Sequence, residues 1–129
     1  MIDSSVYNYI NVLDKAADAA WLRNEAITNN IANADTPGYK RQDISFETQL
    51  QKAMKVSKYE SVDAKVADLK AREMQGRTYT DYDNFSYRLD GNNVDIQTEN
   101  VTLVKNQLKY NGLIQSFNQE FSNLKMVIK

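Results

Sequence analysis

The sequence predicts a mainly α-helical protein, in which long N- and C-terminal amphipathic helices pack as a coiled-coil pair and a short middle segment is irregular or β-structured. Two observations support this fold class. Apolar residues recur at heptad spacing through both ends of the chain, whereas the middle is polar and of mixed charge. The 129 residues suffice for one modest core. We expect an N-terminal helix within 1–35, a turn and charged middle segment over 36–92, and a C-terminal helix within 93–129.

The N-terminal helix is predicted from about residue 3 to residue 33. Two interleaved heptad rows form one stripe, whose members are Val6, Ile10, Leu13, Ala17, Ala20, Asn24, Ile27, Ile31 and Ala34. Asn24 is the polar exception, and a single polar residue on such a stripe more often fixes register than adds stability. Trp21 lies beside the stripe, where it either anchors a partner molecule or packs against the C-terminal helix; the sequence leaves both open.

The middle segment carries weaker patterns. Ile44 and Phe46 alternate as in a short extended piece, and the spacing of Phe46, Leu50 and Met54 indicates a helical turn or two. A second short helix is indicated by Val62, Val66 and Leu69. The alternation of Phe85, Tyr87 and Leu89 predicts a strand.

The C-terminal helix is predicted from about residue 94 to residue 126. One heptad row is Ile96, Leu103, Tyr110, Phe117 and Leu124, and its companion row is Asn100, Gln107, Ile114, Phe121 and Ile128. The start of this helix is predicted by Asp90 and Gly91, which supply a turn, by Asn93, and by Asp95 as N-cap, with Glu99 favoured in the first turn by the helix dipole. Gly112 weakens the helix interior, and we expect it to allow close packing.

Composition excludes several kinds of chemistry. The chain has no cysteine and no histidine, so thiol chemistry and the commonest general base and metal ligand are absent. A net charge of −1 gives no support for a nucleic-acid or anionic-membrane partner. No apolar run approaches the ~18 residues of a membrane span, and no cleaved signal peptide is apparent. We therefore expect no enzyme activity, cofactor, metal or small-molecule substrate.

The stretch "NNIANADTPGYKR", residues 29–41, specifies a helix stop with a defined exit direction. Pro37 and Gly38 suit the two central positions of a type II turn, in which glycine takes a positive φ. Proline also keeps Thr36 out of the helical region. The asparagines before the turn tolerate left-handed backbone and can bond freed carbonyl groups. The residues we assign to this motif are Asn29, Asn30, Ile31, Asn33, Thr36, Pro37, Gly38, Tyr39 and Lys40.

This stretch resembles the N-terminal motif of flagellar axial proteins, the family of rod, hook and hook-associated subunits. The later stretch "RLDGNNVD", residues 88–95, followed by a heptad helix and the ending "FSNLKMVIK", is similar to the corresponding part of proximal rod proteins. It favours the subunit at the base of the rod over its sister FlgC and over the longer distal rod proteins. The resemblance covers residues 1–50 and 85–129 well, and residues 51–84 poorly.

The resemblance implies a structural subunit of the basal-body rod, the helical tube that transmits torque, encloses an export channel and is required for motility. Its implied partners are further copies of itself, FlgC, the junction protein FliE and the MS ring. The implied route is flagellar type III export without a cleaved signal peptide, to the periplasmic rod. Packing between helices or subunits is assigned to Val6, Ile10, Leu13, Trp21, Ile27, Ile31, Leu103, Tyr110, Ile114, Phe117, Phe121 and Leu124.

Two further expectations concern polar side chains of the helices. The polar heptad members Asn24, Asn100 and Gln107 are expected where stripes of different subunits meet or face a wet channel. An amide face of the C-terminal helix, made of Asn106, Asn111, Gln115, Asn118 and Gln119, is expected to line the channel. The competing interpretation is a small secreted or cytosolic helical-hairpin adaptor of an export system.

Overall fold

A computed structural model describes residues 4–56, 60–69, 74–82 and 88–128. The described elements are α1 (Ser4–Ala32), β1 (Gln42–Ile44), α2 (Glu47–Val56), α3 (Val62–Asp68), β2 (Thr78–Thr80) and α4 (Ile96–Ile128). The predicted mainly α fold class, with two long terminal helices and a small β-containing middle, is confirmed. None of the described helices is long and apolar enough to span a membrane.

The long helices α1 and α4 pack against each other and form the body of the molecule. Asp95 caps α4 as predicted: its Oδ1 accepts hydrogen bonds from the backbone N–H groups of Gln97 and Thr98 at 3.0 and 3.4 Å. Its Oδ2 accepts a third from the Thr98 hydroxyl at 3.0 Å. Two of the free backbone N–H groups at the start of the helix are thereby satisfied, which fixes where α4 begins.

The middle segment folds onto one side of α1. Strands β1 and β2 pair antiparallel, with Gln42 opposite Thr80, and β1 packs on α1. Ile44 and Phe46 are buried there against α1, in a cluster that also contains Ala16, Ala19, Ala26 and Met74. The predicted helical turns are confirmed as α2 and α3.

The predicted strand over residues 85–89 lies mostly outside the described residues. Phe85 and Tyr87 lie outside the described residues, and Leu89 lies in an exposed turn. The strand that pairs with β1 lies earlier, at Thr78–Thr80. Gly76 lies two residues before this strand. A Cβ atom at Gly76 would lie 2.7 Å from Ile44 Cγ2 and 3.1 Å from Ala19 Cβ. Only glycine therefore lets this segment cross α1 so closely.

The face that α4 turns toward α1 differs from the predicted one. The row of Leu103, Tyr110, Phe117 and Leu124 is half-buried, as a packing row should be. Its actual companion row begins with Glu99 and Asn106, which are buried, whereas the expected companion row of Asn100, Gln107, Ile114, Phe121 and Ile128 is exposed. The physical reason is that Glu99 and Asn106 find polar partners on the α1 side, so the helix is rotated by about one residue.

Gly112 is also placed differently from expectation. It lies on the exposed side of α4, and a Cβ atom there would meet nothing within 4 Å. Packing inside this chain therefore does not require glycine at position 112, contrary to the expected close approach.

Candidate functional site: the junction of two turns

The first turn lies directly after α1. The Tyr39 N–H donates to the Thr36 carbonyl at 3.2 Å, and Gly38 has φ of +73°. With Pro37 and Gly38 in the central positions, residues 36–39 form the predicted type II turn. The Asn33 side chain donates to the Asn29 carbonyl at 2.8 Å, but this carbonyl also accepts from the Asn33 backbone N–H at 3.0 Å and is therefore not a freed one, contrary to expectation. The left-handed tolerance of asparagine is not used, because the described residues include no positive φ outside glycine.

A second turn, residues 88–91, packs directly against the first. The Gly91 N–H donates to the Arg88 carbonyl at 3.2 Å, and Gly91 has φ of +78°. The two turns are joined by a hydrogen bond of 2.8 Å from the Gly38 N–H to the Asp90 carbonyl. Lys40 Nζ adds one of 2.5 Å to the Gly91 carbonyl. We call this contact of residues 36–39 with residues 88–91 the junction.

Asn92 fastens the junction to the end of α1. It is 1% exposed, and its amide Nδ2 lies 2.9–3.0 Å from the carbonyl oxygens of Asn33, Ala34 and Thr36. Arg88 also donates to the Ala34 carbonyl. These carbonyl groups lie in the turn that directly follows α1. Side chains that are 54 to 59 residues away in sequence supply donors to them.

Asn30 holds the chain that leaves the first turn. Its fully buried amide accepts from the Gln42 N–H at 2.9 Å and donates to the Gln42 carbonyl at 2.8 Å, as a neighbouring strand would. Its Oδ1 also accepts from the Tyr39 hydroxyl at 3.1 Å. Burial and the nearby Glu99 carboxylate raise the pKa of Tyr39, so this hydroxyl keeps its proton. The last turn of α1 thus fixes the start of β1.

A buried ion pair ties the same segment to α4. Arg41 Nε donates to Glu99 Oε1 at 2.7 Å, and Glu99 is 1% exposed. Asn30 Nδ2 lies 3.3 Å from the other oxygen of this carboxylate, and Arg41 also donates to Asp81 at 2.9 Å. Burial acts against the charge of Arg41, but its hydrogen bonds to Glu99 and Asp81 outweigh burial and raise its pKa. A buried charge is tolerable only when it is paired in this way.

A second set of ion pairs lies farther along the helices. Arg23 donates to both Glu47 carboxylate oxygens at 2.7 Å and to Asp43 at 3.0 Å, and Lys109 of α4 also contacts Glu47. The hydrogen bonds from Arg23 outweigh burial and, together with that from Lys109, lower the pKa of Glu47 to about 2. Glu47 therefore links α1, α4 and the start of α2.

The motif residues fall into two groups. Asn30 is buried and Ile31, Asn33, Tyr39 and Lys40 are half-buried, whereas Asn29, Thr36, Pro37 and Gly38 are exposed. Of the residues assigned to the start of α4, Asp90, Gly91 and Asn93 are half-buried and Asp95 is exposed. Asn93 lies next to the junction, and its side chain accepts from the Arg41 N–H at 2.8 Å and donates to the Asp81 carbonyl at 2.9 Å.

The residues assigned to packing also divide by exposure. Ile10 and Ile27 are buried within the chain, and Leu13, Ile31, Leu103, Tyr110, Phe117 and Leu124 are half-buried. Trp21, Ile114 and Phe121 are exposed, and the side chain of Val6 lies outside the described part. Trp21 is 62% exposed although its ring centroid lies 6.2 Å from that of Tyr110. It packs against α4 and still presents most of its surface to solvent.

Three residues around the junction were not singled out from sequence: Asn92, Arg41 and Glu99 in its partnership with Arg41. Asn92 stands in the middle of "RLDGNNVD", and the density of polar residues in that stretch was the available signal. The Arg41–Glu99 pair spans 58 residues, so no local pattern could connect its two members.

Two long helices held together through this junction, with large apolar side chains left exposed on α4, are typical of a subunit that assembles by helix packing. Residues 10–40 match the family described as flagella basal body rod protein. The FlgB rod protein of Bacillus subtilis is 34% identical over 92% of this chain and 92% of its own length. That of Borreliella burgdorferi is 34% identical over 95% and 92%. That of Yersinia enterocolitica is 35% identical over 68% and 69%.

The chain belongs to the FlgB family of flagellar basal body rod proteins. It is a structural subunit of the bacterial flagellar rod, and its role in motility follows from the family. The interpretation as an adaptor of an export system is thereby replaced.

Proposed function

We propose that this subunit forms part of the inner helical layer at the base of the rod, and that it contacts further copies of itself, FlgC, FliE and the MS ring. We propose in addition that it reaches this position unfolded, through the flagellar type III apparatus. The similarity to FlgB proteins over most of the chain supports the position at the base.

The outward side of α4 carries this proposal. Ile114 and Phe121 are 36% and 45% exposed, so large apolar side chains of α4 remain partly in solvent. Ile114 stands in the same heptad row as Phe121. An amphipathic helix whose second apolar row remains in solvent is completed by packing against another helix. In a helical tube, neighbouring subunits supply that helix.

Replacing Phe121 by aspartate tests this surface. Phe121 contacts Phe117 edge-on at a centroid distance of 4.9 Å but is half exposed, so the isolated subunit should keep its helical content. Burying the introduced charge between subunits should block assembly. We expect Phe121→Asp cells to be non-motile and to lack the rod in detergent-extracted basal bodies. Phe121→Leu, which keeps an apolar side chain, should retain both.

Normal swimming of the Phe121→Asp strain, with the variant present in basal bodies, would contradict the proposal. Ile27 is assigned to packing as well, but it is unsuitable for the same test. Its side chain is fully buried inside this chain, so an aspartate there would unfold the subunit whether or not an interface exists.

Asn106 does not belong to the amide face that we expected to line the channel. Asn106 is buried against α1 and donates to the Ala20 carbonyl at 2.8 Å. Asn111, Gln115, Asn118 and Gln119 are exposed on α4. We propose that Gln115, Asn118 and Gln119 face the channel, where charged or apolar groups would retain passing chains. Asn111 lines a hollow between α1 and α4 and is not assigned to the channel.

A further inference from the structure

A cavity of about 300 Å³ opens between α1 and α4, at a distance from the junction along the helices. Amide and aromatic side chains form its wall, together with one alanine. The lining residues are Ala20, Trp21, Asn24, Asn106, Gln107, Tyr110 and Asn111.

Two buried hydrogen-bond acceptors at this cavity have no donor among the described residues: Asn24 Oδ1 and Asn106 Oδ1. Asn106 is 4% exposed, and its Nδ2 donates to the Ala20 carbonyl, which fixes the orientation of the amide. A buried acceptor without a donor lowers stability, since it has lost its bonds to water. Leucine would suit either helix position better within the isolated chain. The two acceptors therefore indicate a donor that comes from outside it.

The surroundings of the cavity indicate that this donor is positively charged. A second hollow continues from it along the same two helices and shares Trp21 and Tyr110. Asp14 and Asp18 stand on the edge of this hollow, and the residues that line the two hollows include no lysine or arginine. Aromatic faces attract cations, and acidic side chains add to the attraction.

We propose that an arginine side chain of a neighbouring rod subunit occupies this cavity. Its planar guanidinium carries five N–H donors, enough for the Oδ1 atoms of both Asn24 and Asn106. These oxygens are buried in the isolated chain, so the contact requires small side-chain rotations that open them to the cavity, where the guanidinium lies against Trp21 or Tyr110. The cavity is then a socket that fixes the register of adjacent subunits. This inference rests on membership of the rod and is independent of the subunit's position along it.

Two replacements of Asn24 of similar size separate the socket from a simple packing gap. Asn24→Leu removes one acceptor and extends the apolar stripe, so the melting temperature of the purified subunit should rise by about 3–5 °C. The yield of assembled rods should fall about tenfold, since a central contact is lost. Asn24→Asp still offers an acceptor to a guanidinium and should retain assembly. Normal rod yield and swimming with Asn24→Leu would overturn the proposal.

Photo-crosslinking identifies the occupant directly. A benzophenone amino acid replaces Gln107, which lines the cavity with its side chain exposed, and basal bodies are isolated after irradiation. We expect a crosslinked peptide from another subunit with an arginine at the site. The same replacement at Asn118, which is exposed on α4 and does not line the cavity, is the control.

Crosslinks confined to this chain, or to peptides without arginine, would overturn the proposal. A subunit found in the rod away from the base, with the arginine crosslink present, would contradict the proposed position and support the arginine contact. A subunit found at the base without that crosslink would support the position and contradict the arginine contact.

Discussion

Replacing Gly38 by valine tests whether the exit direction of the first turn matters for assembly. Gly38 has φ of +73°, and a Cβ atom there would meet only the Asp90 carbonyl oxygen, at 4.0 Å. The space is open, so the cost is that of the backbone conformation, about 1–3 kcal/mol for a β-branched residue. If the turn relaxes, the 2.8 Å hydrogen bond to Asp90 is lost as well, at about 0.5–1.5 kcal/mol.

This cost is small beside the burial that holds α1 and α4 together, so the helices should still form. What changes is the path of the chain between Thr36 and Tyr39, and with it the junction to residues 88–91. We expect Gly38→Val protein to be exported at near-normal levels but not to complete the rod, which leaves cells non-motile. Gly38→Asn should retain partial motility, because asparagine enters the left-handed region at lower cost.

For the stability of the isolated subunit, the matched control is Gly112→Val, the same substitution at an exposed helical position where a Cβ atom meets nothing within 4 Å. Its φ is not positive, so it should cost the subunit no stability. Export is measured from secreted and periplasmic fractions, and motility from swimming in soft agar. Equal motility of the Gly38 valine and asparagine variants at matched export would show that the turn acts only as a helix stop.

Two further predictions concern the ion pairs. Arg41→Met should lower the free energy of unfolding by about 3–5 kcal/mol in urea titrations, since it leaves the buried Glu99 carboxylate without its cation. Glu99→Gln should lower it by only about 1–3 kcal/mol, because Arg41 keeps its ion pair with Asp81. Equal losses in the two variants would contradict this order. Glu47, with its pKa lowered from 4.5 to about 2, contributes stability that is complete above about pH 4.5 and is lost as the pH falls toward 2. Because this carboxylate is about half exposed, the contribution is discounted to about 1 kcal/mol. The stability difference between wild type and Glu47→Gln should therefore vanish near pH 2, and a constant difference would refute the assignment.

Local patterns in the sequence predicted the parts of the fold that depend on local physics. The heptad rows placed both long helices to within about two residues, and the Pro37–Gly38 pair specified a turn that the structure contains. Asp95 was recognisable as an N-cap because its oxygens bond donors only two and three residues away. Each of these features has its cause and its effect in neighbouring residues.

The junction could not be predicted, because its contacts join distant residues. Asn30 pairs with Gln42 across a turn, and Arg41 pairs with Glu99 across 58 residues. Polar side chains show no periodicity that indicates a partner. The rotation of α4 was missed for a related reason: an apolar row marks a surface that becomes buried, and it does not say whether the partner is the same chain or another subunit.

The sizes of the apolar side chains differ between the buried faces inside the chain and the exposed face of α4, and this difference explains why an apolar row can remain exposed. Toward the middle segment α1 turns small residues, Ala16, Ala19 and Ala26, which bury little apolar area each. Directional hydrogen bonds and the Arg41–Glu99 pair then set how the elements meet, although each contributes little net energy. The large side chains Leu108 and Phe121 stay exposed on α4. More apolar burial is thus left for assembly than in a self-contained helical bundle, and a subunit held by a modest core unfolds at low cost, as the proposed passage through an export channel requires.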